Sequence, residues 1–303
     1  TNGGKQSVYQ AFATIIDPGD EVLLPSPFWT TYPECIKLAG GVSVEVFADE
    51  TQNYLVSVEQ LEAARTPKTK ALLFCSPSNP TGAVYSKEEL ISFADVLIKH
   101  PNILIGTDDM YEHVKLKDMP FYNILNVNPA LKDRCVVMNG VSKAYSMTGW
   151  RIGYAAGPSY IIKAMEILQS QSTSNPTSIS QVAAEAALSG DQACMDPMIK
   201  AFRERHAYVV KSFNEIPGLS CIEAEGAFYA FPDARKAIEH LFNQKVLKEK
   251  TDLALADYLL EKEGVAVVPG SAFGSDGYFR ISFATSMENL IEAMKRIKRA
   301  LSV

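Results

Sequence analysis

No apolar run in this 303-residue chain approaches the roughly 18–20 residues of a membrane helix. No membrane partner is expected. Runs of like charge are missing too: 29 Lys and Arg are mixed with 35 Asp and Glu, for a formal net charge of -6. Without a basic stripe there is no footprint for nucleic acid. Histidine is scarce, and His100, His113, His206 and His240 show neither HExxH spacing nor a CxxC companion, so no metal site is expected. The cysteines (Cys35, Cys75, Cys135, Cys194, Cys221) are odd in number and scattered through apolar stretches. They read as free thiols in a reducing compartment, and a cytoplasmic location is expected. Thr1 begins no signal peptide. The chain opens on a glycine turn entering a helix, with no initiator Met and no strand to feed the turn, and upstream sequence is expected to be missing.

What is present suits a globular enzyme. Hydrophobic residues make up 47% and charged residues 21%, and the length allows about two domains. From Val22 to Ala155, short apolar runs alternate with amphipathic stretches, the pattern of a parallel sheet covered by helices. The expected strands are Val22–Leu24, Val42–Phe47, Ala71–Cys75, Ile103–Gly106, Cys135–Met138 and Ile152–Ala155. Ser86 followed by Glu89 is a capping box, with Leu90, Phe93, Val96 and Leu97 at helical spacing behind it. A long helix over Asp196–Ile216, stopped by Pro217-Gly218, carries the chain into a smaller α+β unit. Its expected strands are Cys221–Ala224, Ala227–Phe231, Val265–Val268 and Tyr278–Phe283, with helices near Leu253–Glu263 and Met287–Leu301. The expected division is a large domain over 1–200 and a small one over 201–303.

Ligands of open α/β sheets bind beyond the carboxyl ends of the strands. Three consecutive runs deliver polar groups there: Asn79-Pro80-Thr81-Gly82, then Asp108-Asp109-Met110-Tyr111, then Asn139-Gly140-Val141-Ser142-Lys143. Each has an ordinary explanation as a turn, a helix cap or a solvated lysine. Together they supply what pyridoxal phosphate requires: an amine for its imine, a carboxylate for its ring nitrogen, and donors for its ring hydroxyl.

These segments, with Ser142-Lys143-Ala144-Tyr145-Ser146-Met147-Thr148-Gly149-Trp150-Arg151, resemble the class I/II aminotransferases of fold type I. The opening Thr1-Asn2-Gly3-Gly4-Lys5-Gln6, Asp17-Pro18-Gly19-Asp20-Glu21 and Ser26-Pro27-Phe28-Trp29 look like the bacterial aspartate and prephenate aminotransferase branch. The likeness runs almost end to end. It implies an α/β fold, with a mostly parallel sheet flanked by helices and a smaller C-terminal α+β domain. Lys143 would hold the cofactor and move the substrate's α-proton. Asp108 would pair with the ring nitrogen, Asn79 and Tyr111 with the ring oxygen, and Trp29 would cover the ring face unless it is a core aromatic. Gly3, Gly4, Ser142 and Arg151 would hold the phosphate. Where other branches carry serine three residues before the lysine, this chain has Gly140. Arg280, alone in an apolar strand, would grip the α-carboxylate if it is not an interface ion pair. Asn175 would lie near the same carboxylate.

The resemblance implies transfer of an amino group between an amino acid and a 2-oxo acid such as 2-oxoglutarate, in a homodimer with shared active sites. Acidic substrates would be favoured through Lys5, whose alternative role is to neutralise phosphate. The arginine that holds the distal carboxylate in animal-type enzymes is replaced by Ser170. Two other readings stay open, a lyase on the same fold and a non-catalytic effector-binding domain of a regulator.

Overall fold

A computed structural model describes residues 1–302. Its centre is a six-stranded sheet of β1 (Glu21–Ser26), β2 (Val42–Phe47), β3 (Thr69–Cys75), β4 (Leu104–Asp108), β5 (Cys135–Gly140) and β6 (Gly153–Ala156). The strand order is β2-β1-β3-β4-β5-β6. Alternate residues of β3 face two different cores, as strand geometry requires. Ala71 and Leu73 pack with Val8, Phe12, Ile36 and Ile161 on one side. Leu72 and Phe74 pack with Leu90, Phe93 and Leu97 on the other. Both faces being covered, the strand reads as a continuous apolar run.

The expected strands of this sheet all form, and the register explains why the site assembles. Cys75 pairs with Asp108, and Asp108 pairs with Met138. The carboxyl ends of β3, β4 and β5 therefore finish side by side, and the segments that follow them emerge on one rim. The sheet departs from a purely parallel arrangement at β6, which runs antiparallel to β5. A parallel return needs a crossover, usually helical. Here the intervening chain carries Lys143 and only a short 3-10 turn, Thr148–Trp150, so it folds straight back.

The Asp196–Asn214 helix runs unbroken through position 200, and its buried residues Phe202, Val209, Val210 and Phe213 join a second core. That core is closed by a three-stranded antiparallel sheet of β7 (Tyr229–Ala230), β8 (Val268–Pro269) and β9 (Phe279–Ser282), in the order β7-β9-β8. Helices Arg235–Asn243, Asp252–Glu263 and Met287–Leu301 complete it, the first of them not anticipated from the sequence. The expected strand Cys221–Ala224 does not form. Its backbone is satisfied by side chains of the long helix: the Cys221 N–H donates to Asn214 Oδ1 at 2.8 Å and the Ala224 N–H to His206 Nε2 at 3.0 Å. With those donors already paired, the segment lies along a helix instead of a strand. Among the described residues, no helix is long and apolar enough to cross a membrane.

Candidate active site

Lys143 follows β5 on the rim, half-buried, with its ammonium 5.7 Å above the Phe228 ring. Burial pushes its amine below the ordinary lysine range, the charges of Arg151 and Arg280 push the same way, and Asp108 opposes them. Asp108 ends β4 and is buried. Tyr32 Oη donates to its Oδ2 at 2.6 Å, and the Met110 N–H reaches Oδ1 at 3.3 Å. Burial raises this carboxyl, while those two donors and the Lys143 charge favour its ionised form. Tyr111, also buried, places its hydroxyl 2.8 Å from that of Tyr229.

Arg280 reaches in from β9. Its Nη1 donates to Asn79 Oδ1 at 2.8 Å, and its guanidinium lies 4.4 Å over Tyr229 and 5.0 Å over Phe273. No acidic side chain pairs with it among the described residues, and its buried Nε has no hydrogen-bond partner. A guanidinium that lines a cavity without a carboxylate partner is arranged to meet an anion.

The phosphate-binding elements stand opposite. Gly3 has φ +82° and precedes the Gly4–Ile15 helix, which has no side-chain N-cap. A Cβ on Gly3 would fall 2.1 Å from Arg151 Nη2, and one on Gly4 would fall 2.3 Å from Met110 Cε. Only bare backbone fits between the guanidinium and the helix start, and with the Gln6 N–H donating to the Gly3 carbonyl, the Gly4 and Lys5 N–H groups are the ones left to meet an anion. Gly140 is closed in the same way, since a Cβ there would sit 2.8 Å from the Ile152 carbonyl oxygen. Serine is therefore sterically excluded at that position, and Ser142 and Thr148 are the aliphatic hydroxyls lining the cavity.

One cavity of about 300 Å³ collects Gly4, Lys5, Trp29, Asn79, Asp108, Tyr111, Ser142, Lys143, Arg151 and Arg280. Gly3 adjoins it through Arg151. Trp29 is half-buried and edge-on to Tyr32 at 5.4 Å, and the Lys5 ammonium lies 5.0 Å over its ring. Lys5 itself is exposed at the rim. The structure does not bring Asn175 to this cavity: it sits exposed in the turn between helices Ser159–Ser170 and Ser178–Ser189. Sequence reasoning missed Tyr32 and Tyr229, which line the cavity beside Asp108 and Tyr111. For Tyr32 there was a signal, its place three residues after Trp29.

The family model for aminotransferase class I and II matches residues 1–297. The chain belongs to that family. It is 56% identical over 302 residues to the aspartate/prephenate aminotransferase of Nitrosomonas europaea, covering 100% of this chain and 76% of the relative. To the aspartate aminotransferase of Streptomyces avermitilis it is 51% identical over 302 residues, covering 100% of this chain and 73% of the relative. The crystal structure of the aspartate aminotransferase from Rhizobium meliloti superposes with a TM-score of 0.93 at 43% identity, covering 99% of this chain and 75% of that one. The aromatic aminotransferase from Pyrococcus horikoshii follows at 0.91 and 36%, covering 99% and 78%. The fold is that of the fold type I transferases, and this protein is a pyridoxal-phosphate-dependent aminotransferase. Of the readings the sequence left open, transamination is the one these relatives share. The residues present fit the cofactor. A depressed lysine, a buried carboxylate and a glycine cradle that a Cβ would fill surround one cavity.

Proposed function

We propose that the chain transfers the amino group of aspartate, or of another acidic amino acid, to a 2-oxo acid such as 2-oxoglutarate. The observation that carries this reading is the convergence of Lys143, Asp108 and the unpaired Arg280 on one cavity. When bound, pyridoxal phosphate supplies an electron sink for the pair left behind as the substrate's α-proton departs. Lys143 Nζ would hold the cofactor covalently and, freed when the substrate's amino group takes its place, would move the substrate's α-proton. Asp108 would pair with the ring nitrogen, and the Tyr32 hydroxyl favours the ionised form of its carboxyl against burial. Asn79 and Tyr111 would hydrogen-bond the ring oxygen, and Trp29 would cover one face of the ring.

Gly3, Gly4, Ser142 and Arg151 take the phosphate, and Arg280 grips the substrate's α-carboxylate. Lys5 stands at the rim over Trp29, where a distal carboxylate of a dicarboxylic substrate would arrive. Its position supports the acidic preference, as do the names of the Nitrosomonas and Streptomyces relatives. Prephenate is a second acceptor by the first of those names.

The same reading includes a homodimer. Trp150, Tyr160, Ile167, Ile179, Val182 and Leu188 are 43–71% exposed, and exposed apolar side chains of this size support an interface. Asn175, exposed between the helices Ser159–Ser170 and Ser178–Ser189 that carry five of these residues, would approach the partner's cavity instead of its own. A cytoplasmic site of action is supported by cysteines that are all free. The same reading divides the chain into two domains that meet at the start of the Asp196–Asn214 helix, whose buried residues join the second core.

The test is a coupled assay with aspartate and 2-oxoglutarate. Purified protein should form oxaloacetate and glutamate, and Lys143→Ala should abolish turnover while keeping its circular dichroism. Equal turnover in the variant, or no transfer from any acidic donor, would overturn the reading.

A further inference from the structure

Two buried phenols meet where the cofactor-holding and carboxylate-holding parts of the site join. Tyr111 follows β4, Tyr229 stands on β7, and their hydroxyl oxygens are 2.8 Å apart. Both rings are buried, 4% and 6% exposed. On the small sheet Tyr229 pairs with Ser282, so Arg280, two residues back along β9, shares its face. The guanidinium of Arg280 lies 4.4 Å over the Tyr229 ring, and its Nη1 donates to Asn79.

Proton counting decides what such a pair does. Each phenol has one proton to give and lone pairs to accept with. Tyr111 and Tyr229 therefore share one proton between their oxygens and have one left for a third group. If Tyr111 gives its proton to the cofactor's ring oxygen, only Tyr229 can supply the proton between the two. We propose that Tyr229 is a positioning residue that donates to Tyr111 and so sets how strongly Tyr111 donates to the ring oxygen. This rests on the role assigned above to Tyr111.

A phenol that accepts one hydrogen bond while donating another is polarised and donates more strongly, the more so in a dry site. Burial pushes the Tyr229 hydroxyl up, with the Arg280 charge pulling it partly back. It stays protonated over the working range and keeps a proton to give. The Arg280 cation over the ring also polarises the hydroxyl as a donor, so the side chain that would bind substrate carboxylate bears on the donor chain of the cofactor.

The experiment is a pH titration of visible absorbance in holoenzyme carrying Tyr229→Phe, Tyr111→Phe or both. Removing a donor leaves more negative charge on the ring oxygen. The proton shared between that oxygen and the Lys143 nitrogen is then held more tightly, and the midpoint rises. Tyr111→Phe should move it by about one pH unit and Tyr229→Phe by about half a unit, the range of one hydrogen bond and its polarisation. In the double variant the second substitution should add nothing, because Tyr229 acts only through Tyr111. The phenylalanine ring keeps the Arg280 stack, so affinity for a dicarboxylate inhibitor should stay within about twofold. A normal midpoint in Tyr229→Phe beside a shifted one in Tyr111→Phe overturns the proposal and leaves the Tyr111 role intact, even if the melting temperature falls. Additive shifts in the double variant overturn it as well. If neither variant moves the midpoint, the Tyr111 role fails and the proposal with it.

Discussion

The reacting lysine is set by its surroundings. Burial and two arginines push the Lys143 amine down, and only Asp108 resists them. A lysine with a lowered pKa offers its neutral, nucleophilic form at lower pH than a free side chain does. Covalent capture of pyridoxal phosphate by the apoprotein should therefore persist well below the pH at which capture by free lysine fades. Stopped-flow absorbance across the pH range measures this, and parallel profiles would show that the site does not depress the amine. Lys5 poses a different question, because it is exposed. An exposed ion pair is worth at most about 1 kcal/mol, or about fivefold. Lys5→Ser should lose about that factor in kcat/KM for aspartate and leave an aromatic donor unaffected. Equal losses for both donors would assign Lys5 to the phosphate alone.

Single elements set where these groups sit. The Gly4–Ile15 helix starts beside Arg151, which itself holds φ +55° and donates from Nη1 to the Thr148 carbonyl at 2.7 Å. The turn before that helix is anchored to β6, with the Gly153 N–H donating to the Thr1 carbonyl at 3.0 Å. A methyl group on Gly3 would meet the guanidinium and would also have to tolerate φ +82°. Gly3→Ala should displace Arg151, weaken pyridoxal phosphate binding at least tenfold and lower stability by about 1 kcal/mol. Fluorescence titration of the apoprotein with the cofactor measures the first effect. Unchanged affinity would mean that the phosphate sits elsewhere.

At the scale of the whole molecule, the exposed apolar side chains of the Ser159–Ser170 and Ser178–Ser189 helices are the feature a single chain leaves unexplained. Ile179 and Val182 are 71% and 66% exposed on one helix, three residues apart and so on one face. Placing charge there should split a dimer while leaving both cores of the subunit untouched. Ile179→Glu with Val182→Glu should sediment as a monomer, keep its far-ultraviolet circular dichroism and lose most transaminase activity, because Asn175 would no longer reach a partner's cavity. A fully active monomer would remove Asn175 from the site.

Much of this was written along the chain. The strands of the large sheet read as apolar runs because both their faces are buried, and the reactive segments follow those runs because sheets of this kind bind at strand ends. The capping box at Ser86 and the stop after the long helix are local chemistry that no packing had to decide. Tertiary structure alone decided the rest. The direction of β6 depended on how the lysine loop returned. Cys221–Ala224 lost its strand to side chains of a neighbouring helix. The pairs that tune the site, Tyr32 with Asp108, Tyr111 with Tyr229 and Asn79 with Arg280, join residues 76, 118 and 201 positions apart. Periodicity and turn chemistry report only on neighbours along the chain, whereas these contacts exist because two separate cores pack with their edges on one cavity.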